Sequence, residues 1–186
     1  MLQVTILVIN FSKEGCGVIT FDGDVTKIRW IAFSGCSSLT SITIPDSVTT
    51  IGDSAFWECS SLKSFTIPNS VTRIDDYAFT DCSSLTILTI PDSVRQIGVS
   101  AFLRCSSLKS VTIGDSVWEM GNGAFSNCSS LTSVYCKATT PPAGGDYMFS
   151  GNASGCKIYV PMESVKAYKS ADDWSKFSSY IVGYNF

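Results

Sequence analysis

Apolar side chains recur along this chain at intervals of 23 residues. Leu39, Leu62, Leu85, Leu108 and Leu131 mark one position, and Ile42, Phe65, Leu88, Val111 and Val134 lie three residues beyond it. Ile44, Ile67, Ile90, Ile113 and Cys136 follow, then Val48, Val71, Val94 and Val117, then Ile51, Ile74, Ile97 and Met120. Ala-Phe pairs ending in Phe56, Phe79, Phe102 and Phe125 complete the unit, and Ile19, Phe21, Val25, Ile28 and Ala32-Phe33 form a degenerate earlier copy. A period of this length marks a solenoid, in which each coil buries its apolar positions only when its neighbours stack on it.

Local chemistry predicts the course of one coil. The Ile42-x-Ile44 alternation predicts a short strand, and equivalent strands of successive coils then build a parallel sheet. Pro45, Pro68 and Pro91 stop that strand, and short polar residues such as Asp46-Ser47 supply the turn. A second extended piece runs from Val48 to Ile51. Gly52, Gly98 and Gly121 then fit a position needing positive φ or close backbone approach, with Asp75 at the equivalent site of one coil. The Ala-Phe pair is expected on a short helical turn that drives a large aromatic into the core.

Two segments flank the repeats. Residues 1–12 are read as an edge or cap strand, rich in β-branched side chains and far shorter than the roughly 20 residues a membrane helix requires. No Lys or Arg precedes Lys13, so the chain as written shows no export signal. Residues 13–137 hold the solenoid. Within 138–186 the register is read as lost, the Pro- and Gly-rich stretch up to Gly155 as a loop, and Ile158-Tyr159-Val160-Pro161 as a last rung. Ser164 is expected to cap a helix carrying Val165 and Tyr168, and Asp173 a second whose Trp174, Phe177 and Ile181 close the core.

Composition then narrows the chemistry. The 186 residues carry 13 basic and 16 acidic side chains, a net charge of −3, which leaves no electrostatic footprint for nucleic acid. Histidine is absent, which removes the imidazole-based triads, general acid/base catalysis by histidine and His-containing metal sites. No enzyme activity, cofactor or metal is expected. Five of the eight cysteines, Cys36, Cys59, Cys82, Cys105 and Cys128, share one position of the repeat, which predicts a ladder of buried, reduced thiols rather than a disulfide framework. Cys136 takes an apolar strand position, and Cys16 and Cys156 are left unassigned.

The unit Cys-x-x-Leu-x-x-Ile-x-Ile-Pro-x-x-Val-x-x-Ile-Gly-x-x-Ala-Phe resembles the BspA-like, or Treponema-type, class of leucine-rich repeats. The tail CKIYVPMESVKAYKSADDWSKFSSYI is similar to the closing segment of such proteins from gut Bacteroidales. The resemblance implies a leucine-rich-repeat solenoid of 23-residue coils with a parallel β-sheet, short extended and helical-turn segments, and short C-terminal capping helices. It also implies a non-catalytic adhesin on a bacterial surface.

Positions alike in every coil are scaffold, and those that differ are free to specialise. On that comparison Trp57 and Leu103, just before the ladder cysteines, are expected at the surface. So are Trp118 on the second extended piece and Tyr135 in the outward threonine row. The hydroxyl rows themselves read as ordinary sheet surface, and the sequons at Asn127 and Asn152 as turn chemistry. The leading expectation is a binding or adhesion module for a protein or glycan, extracellular by resemblance and not inserted in a membrane. The alternative is a structural assembly component, for instance a phage decoration or fibre protein located in a virion. In that reading the N-terminal strand, within residues 1–10, mediates self-association by adding to a sheet edge.

Overall fold

The structure, a computed structural model, describes residues 25–186 together with the backbone of two earlier strands, Leu7–Ile9 and Ile19–Phe21. Those two strands pair antiparallel, Leu7 opposite Phe21. The rest of residues 1–12, and Cys16, lie outside the described residues, as does most of the segment expected to self-associate.

From Val25 onward the chain winds as the period predicts. The second extended pieces, Lys27–Ile28, Thr50–Ile51, Arg73–Ile74, Gln96–Ile97, Glu119–Met120 and Ala143–Gly144, form one six-stranded parallel sheet. Its register places Ile51 beside Ile28 and Ile74, so the inward residues stack in a column. The first strands form a second wall. Ser41–Thr43 pairs with Ser64–Thr66, while Ile87–Ile90, Ser110–Ile113, Ser133–Cys136, Lys157–Pro161 and Ile181–Tyr184 make a five-stranded parallel sheet. Phe65 sits where this wall is interrupted, half-buried, its ring 4.6 Å from Phe79.

The Ala-Phe turn provides a third hydrogen-bonded face. Alternate amides close the turn within a coil, as Trp57 N–H does on the Ser54 carbonyl (3.2 Å), while the others reach the next coil, as Ser54, Phe56 and Glu58 do on the carbonyls of Asp76, Ala78 and Thr80 (2.9, 2.8 and 2.8 Å). The alternation requires left-handed backbone at two places per coil. One row of positive φ runs through Ile31, Ser54, Tyr77, Ser100, Gly123 and Tyr147, and another through Gly35, Glu58, Asp81, Arg104, Asn127 and Gly151. Left-handed backbone costs an L-residue about 1–2 kcal/mol that glycine avoids. Ser100→Gly, which copies Gly123 of the next coil, is therefore expected to stabilise the protein by about 0.5–1 kcal/mol, read as a rise in the urea midpoint. The glycines singled out from sequence serve close approach instead: a Cβ on Gly121 would collide with the backbone nitrogen of Val99.

The core is a column of rings. Phe33, Phe56, Phe79, Phe102, Phe125 and Phe149 stack with centroids 5.1, 5.0, 5.2, 5.0 and 5.8 Å apart. Beside them runs the thiol ladder, in which Cys59, Cys82, Cys105 and Cys128 each donate S–H to the phenylalanine carbonyl of the preceding coil (3.2, 3.2, 3.3 and 3.2 Å). All seven cysteines of the described residues are free thiols, Cys36 half-buried and the others buried.

Beyond Lys137 the structure departs from the expected loop. The coil continues: Ala143–Gly144 joins the six-stranded sheet, and Met148-Phe149 takes the place of an Ala-Phe pair. One extra residue spaces Phe149 from Phe125, and by the same offset Asn152 replaces the ladder cysteine, its Oδ1 accepting from the Cys128 amide at 3.0 Å. The cap differs from expectation too. Ser164 makes no side-chain capping bond, Asp173 lies inside the short helix Asp172–Ser175 with its carboxylate on the Gly144 amide (3.0 Å), and Ile181 opens a final strand instead of ending a helix face. Tyr168 and Trp174 are fully buried and close the core end, donating to the carbonyls of Ala138 and Pro142 at 2.8 Å each.

Candidate functional site

Because coils stack in register, each variable position becomes a row on one of three faces. Trp57 and Leu103 lie in the same row of the turn face, two coils apart, with the buried Thr80 between them. Trp57 is exposed as expected, whereas Leu103 is half-buried. The turns add exposed apolar side chains that the reading of single pairs missed: Trp30 (67% exposed) and Ile31 project from one coil of this same face, and Tyr77 from the coil after that of Trp57. Comparison of whole columns, rather than of the two residues before each cysteine, carries that signal. The edge also holds charge. Arg104 Nε and Nη2 donate to both oxygens of Asp81 (2.7 and 2.6 Å), and that pairing, with a smaller contribution from the Trp57 indole, holds the Asp81 carboxyl below the usual range.

Trp118 stands on the second-strand face, 54% exposed, preceding Glu119, which accepts from the Gln96 amide at 2.7 Å. Tyr135 lies on the first-strand face, half-buried because a second tyrosine covers it. Tyr159 stacks on it at 4.7 Å and 13°, and Tyr184 meets both rings edge-on at 5.4 and 5.6 Å. Phe186 extends the cluster at 5.1 Å from Tyr184. Tyr159 was visible in the strand-then-proline pattern of the last rung. Tyr184 and Phe186 were not, because their approach depends on the final strand pairing parallel with Lys157–Pro161. The four expected contact residues therefore occupy three separate faces, and the structure gathers no common site from them.

Buried thiols supply no exposed nucleophile. Desolvation pushes Cys59 up to about 12, and Cys136 and Cys156 up to about 11. Tyr168 donates to Ala138, so the Cys136 thiol 3.2 Å away donates to the tyrosine oxygen. Among the described residues no group of three His, Cys, Asp or Glu side chains is placed to hold a metal, and no helix is long and apolar enough to cross a membrane.

Comparison with known proteins agrees with this geometry. The family model for the BspA type leucine rich repeat region, in 6 copies, matches residues 9–132 and 84–171. The crystal structure of a leucine-rich repeat protein from T. pallidum superposes with a TM-score of 0.64 at 25% identity, covering 96% of this chain and 95% of that one. A leucine rich cell surface protein from Faecalibacterium prausnitzii gives 0.54 at 27% identity, and a leucine-rich repeat protein from Bacteroides ovatus 0.50 at 27%. This chain is covered to 90% and 86% in those two comparisons but spans 55% of each of those longer proteins. No curated protein sequence matches. With the repeat, the ring column and the thiol ladder all in the matched register, the chain belongs to the BspA-type leucine-rich repeat family, a family of repeat scaffolds for protein interaction.

Proposed function

We propose that the chain is a non-catalytic binding module that presents the turn face of its solenoid to a protein partner at a bacterial cell surface, in adhesion. The observation that carries this reading is the set of exposed apolar side chains, Trp30, Ile31, Trp57 and Tyr77, mounted on consecutive coils whose backbones are hydrogen-bonded to one another. Side chains on so rigid a frame lose little further freedom on binding, and tryptophan and tyrosine are the residues that dominate protein interfaces. The cell-surface location rests on likeness to the Faecalibacterium prausnitzii protein, which is described as one. The assembly alternative draws no support from these relatives. Light scattering is expected to show a monomer, and an oligomer dissolved by deleting residues 1–10 would favour assembly instead.

The test uses immobilised extracellular-matrix proteins as probes. Trp57→Ala and Trp30→Ala are each expected to weaken binding about tenfold or more, the loss typical of an interface anchor, while leaving the melting temperature unchanged. Unchanged affinity in both variants would remove the turn face from the interface.

A further inference from the structure

On the first-strand face an aromatic stack ends beside a polar hollow. Register aligns Thr89, Thr112, Tyr135 and Tyr159 on successive strands, all pointing away from the core. With strands about 4.8 Å apart, this row is about 14 Å long. Tyr135 and Tyr159 stand like parallel plates, 4.7 Å apart and 13° from coplanar. The spacing matches that of the strands, so the plates face along the row. One face of Tyr135 is covered by Tyr159, with Tyr184 edge-on against both rings, and its other face looks across Thr112.

Thr112 is also in the wall of a cavity of about 350 Å³ that Asn69, Thr89, Asp92 and Lys137 line with it. Lys137 reaches this hollow from the end of the strand that carries Tyr135. Its Nζ donates to both oxygens of Asp92, at 2.7 and 2.8 Å, spanning two coils past Gly114, which stands where earlier coils carry proline. The open ring face and the hollow are thus joined through one residue. An apolar plate that faces sideways next to a carboxylate, an ammonium, an amide and two hydroxyls suits a ligand with an apolar face and a polar rim. An aromatic side chain of a protein would stack on Tyr135 and leave the carboxylate and ammonium without use. A pyranose ring uses both, its C–H face on the tyrosine and its vicinal hydroxyls on Asp92 and Lys137.

We propose that this face is an oligosaccharide site, in which one sugar ring lies over Thr112 against Tyr135 and the neighbouring rings run along the row toward Thr89. The site is separate from the turn face assigned to protein binding, so either assignment stands or falls without the other.

The experiment is calorimetric titration of the full chain with neutral hexasaccharides, namely cellohexaose, maltohexaose, laminarihexaose and xylohexaose. At least one is expected to bind, with affinity reduced about tenfold or more by Tyr135→Ala and by Asp92→Ala, retained in Tyr135→Phe and unaffected by Trp57→Ala. Circular dichroism melting of each variant establishes that it folds, and Lys137→Ala provides a second probe of the hollow should Asp92→Ala melt early. Binding by none of the four sugars would overturn the proposal, as would binding that survives Tyr135→Ala. Capture of a matrix protein that is lost in Tyr135→Ala and kept in Trp57→Ala would also overturn it, making this a protein site.

Discussion

Replacing Phe79 with alanine is expected to destabilise the protein by about 3–5 kcal/mol, the range for truncating a fully buried aromatic. The ring is wholly inaccessible to solvent and lies between Phe56 at 5.0 Å and Phe102 at 5.2 Å, with Phe65 at 4.6 Å on a third side. Its loss opens a cavity on the axis of the solenoid, where backbone ladders on three faces resist collapse into the space. Coils contact only their neighbours, so a gap in the middle of the column also weakens the coupling between the halves on either side. Phe65→Ala, at a half-buried position, is expected to cost less. Equilibrium urea unfolding of the two variants provides the comparison, and a loss below about 1 kcal/mol for Phe79→Ala would place that ring outside the core.

Most of this architecture was legible because one signal repeats. The recurrence of Leu, Ile, Val and Phe at 23 residues announces coils, inward columns and the thiol ladder together, and each appears at its expected place. The coil after Val134 was hidden by three local changes that act at once. One residue is inserted between Phe125 and Phe149, Met148 stands for alanine, and Pro141-Pro142 precede the strand. Each is compatible with stacking, since backbone bonds such as Phe125 N–H on the Met148 carbonyl (2.8 Å) need no particular side chain. The final strand escaped for a related reason. Trp174, Phe177 and Ile181 fit a helical spacing, yet the helix stops at Ser175 and the chain turns to pair with Lys157–Pro161. Tertiary pairing outweighs local pattern there. Surface chemistry was legible only residue by residue: exposure of Trp57 and Trp118 follows from comparing coils, but the stacking of Tyr135, Tyr159 and Tyr184 depends on which strands are neighbours.

The thiol ladder leads to the other large effect, a loss of stability in mild alkali. Burial raises Cys59 to about 12 and Cys136 and Cys156 to about 11, and it raises Cys82 strongly as well. Cys105 is raised too, by the neighbouring Cys128 thiol and by burial. In the unfolded chain these thiols return to the ordinary value of 9.0. A group whose pKa is higher in the folded state contributes its full stability below the unfolded value and loses it as the pH climbs toward the folded one. The relevant window therefore opens near pH 9 and extends to about 11–12. Within it each thiol that ionises only on unfolding withdraws up to about 1.4 kcal/mol per pH unit. Cys59, Cys82, Cys105 and Cys136 together remove about 6 kcal/mol by pH 10 and Cys156, more open to solvent screening, adds a smaller share, a loss comparable with the whole stability of an ordinary domain. Urea midpoints measured in reductant are thus expected to be flat from pH 6 to 8 and to fall steeply between 9 and 10. Cys82→Ala, whatever it costs at neutral pH, is expected to flatten that fall by about one fifth, because one titrating group has gone. The same burial predicts that the ladder thiols of the native protein resist a thiol reagent at pH 8 and react at once in denaturant. Equal stability at pH 7 and pH 10 would show that the cysteines reach water in the folded protein, and with them the column of rings they flank.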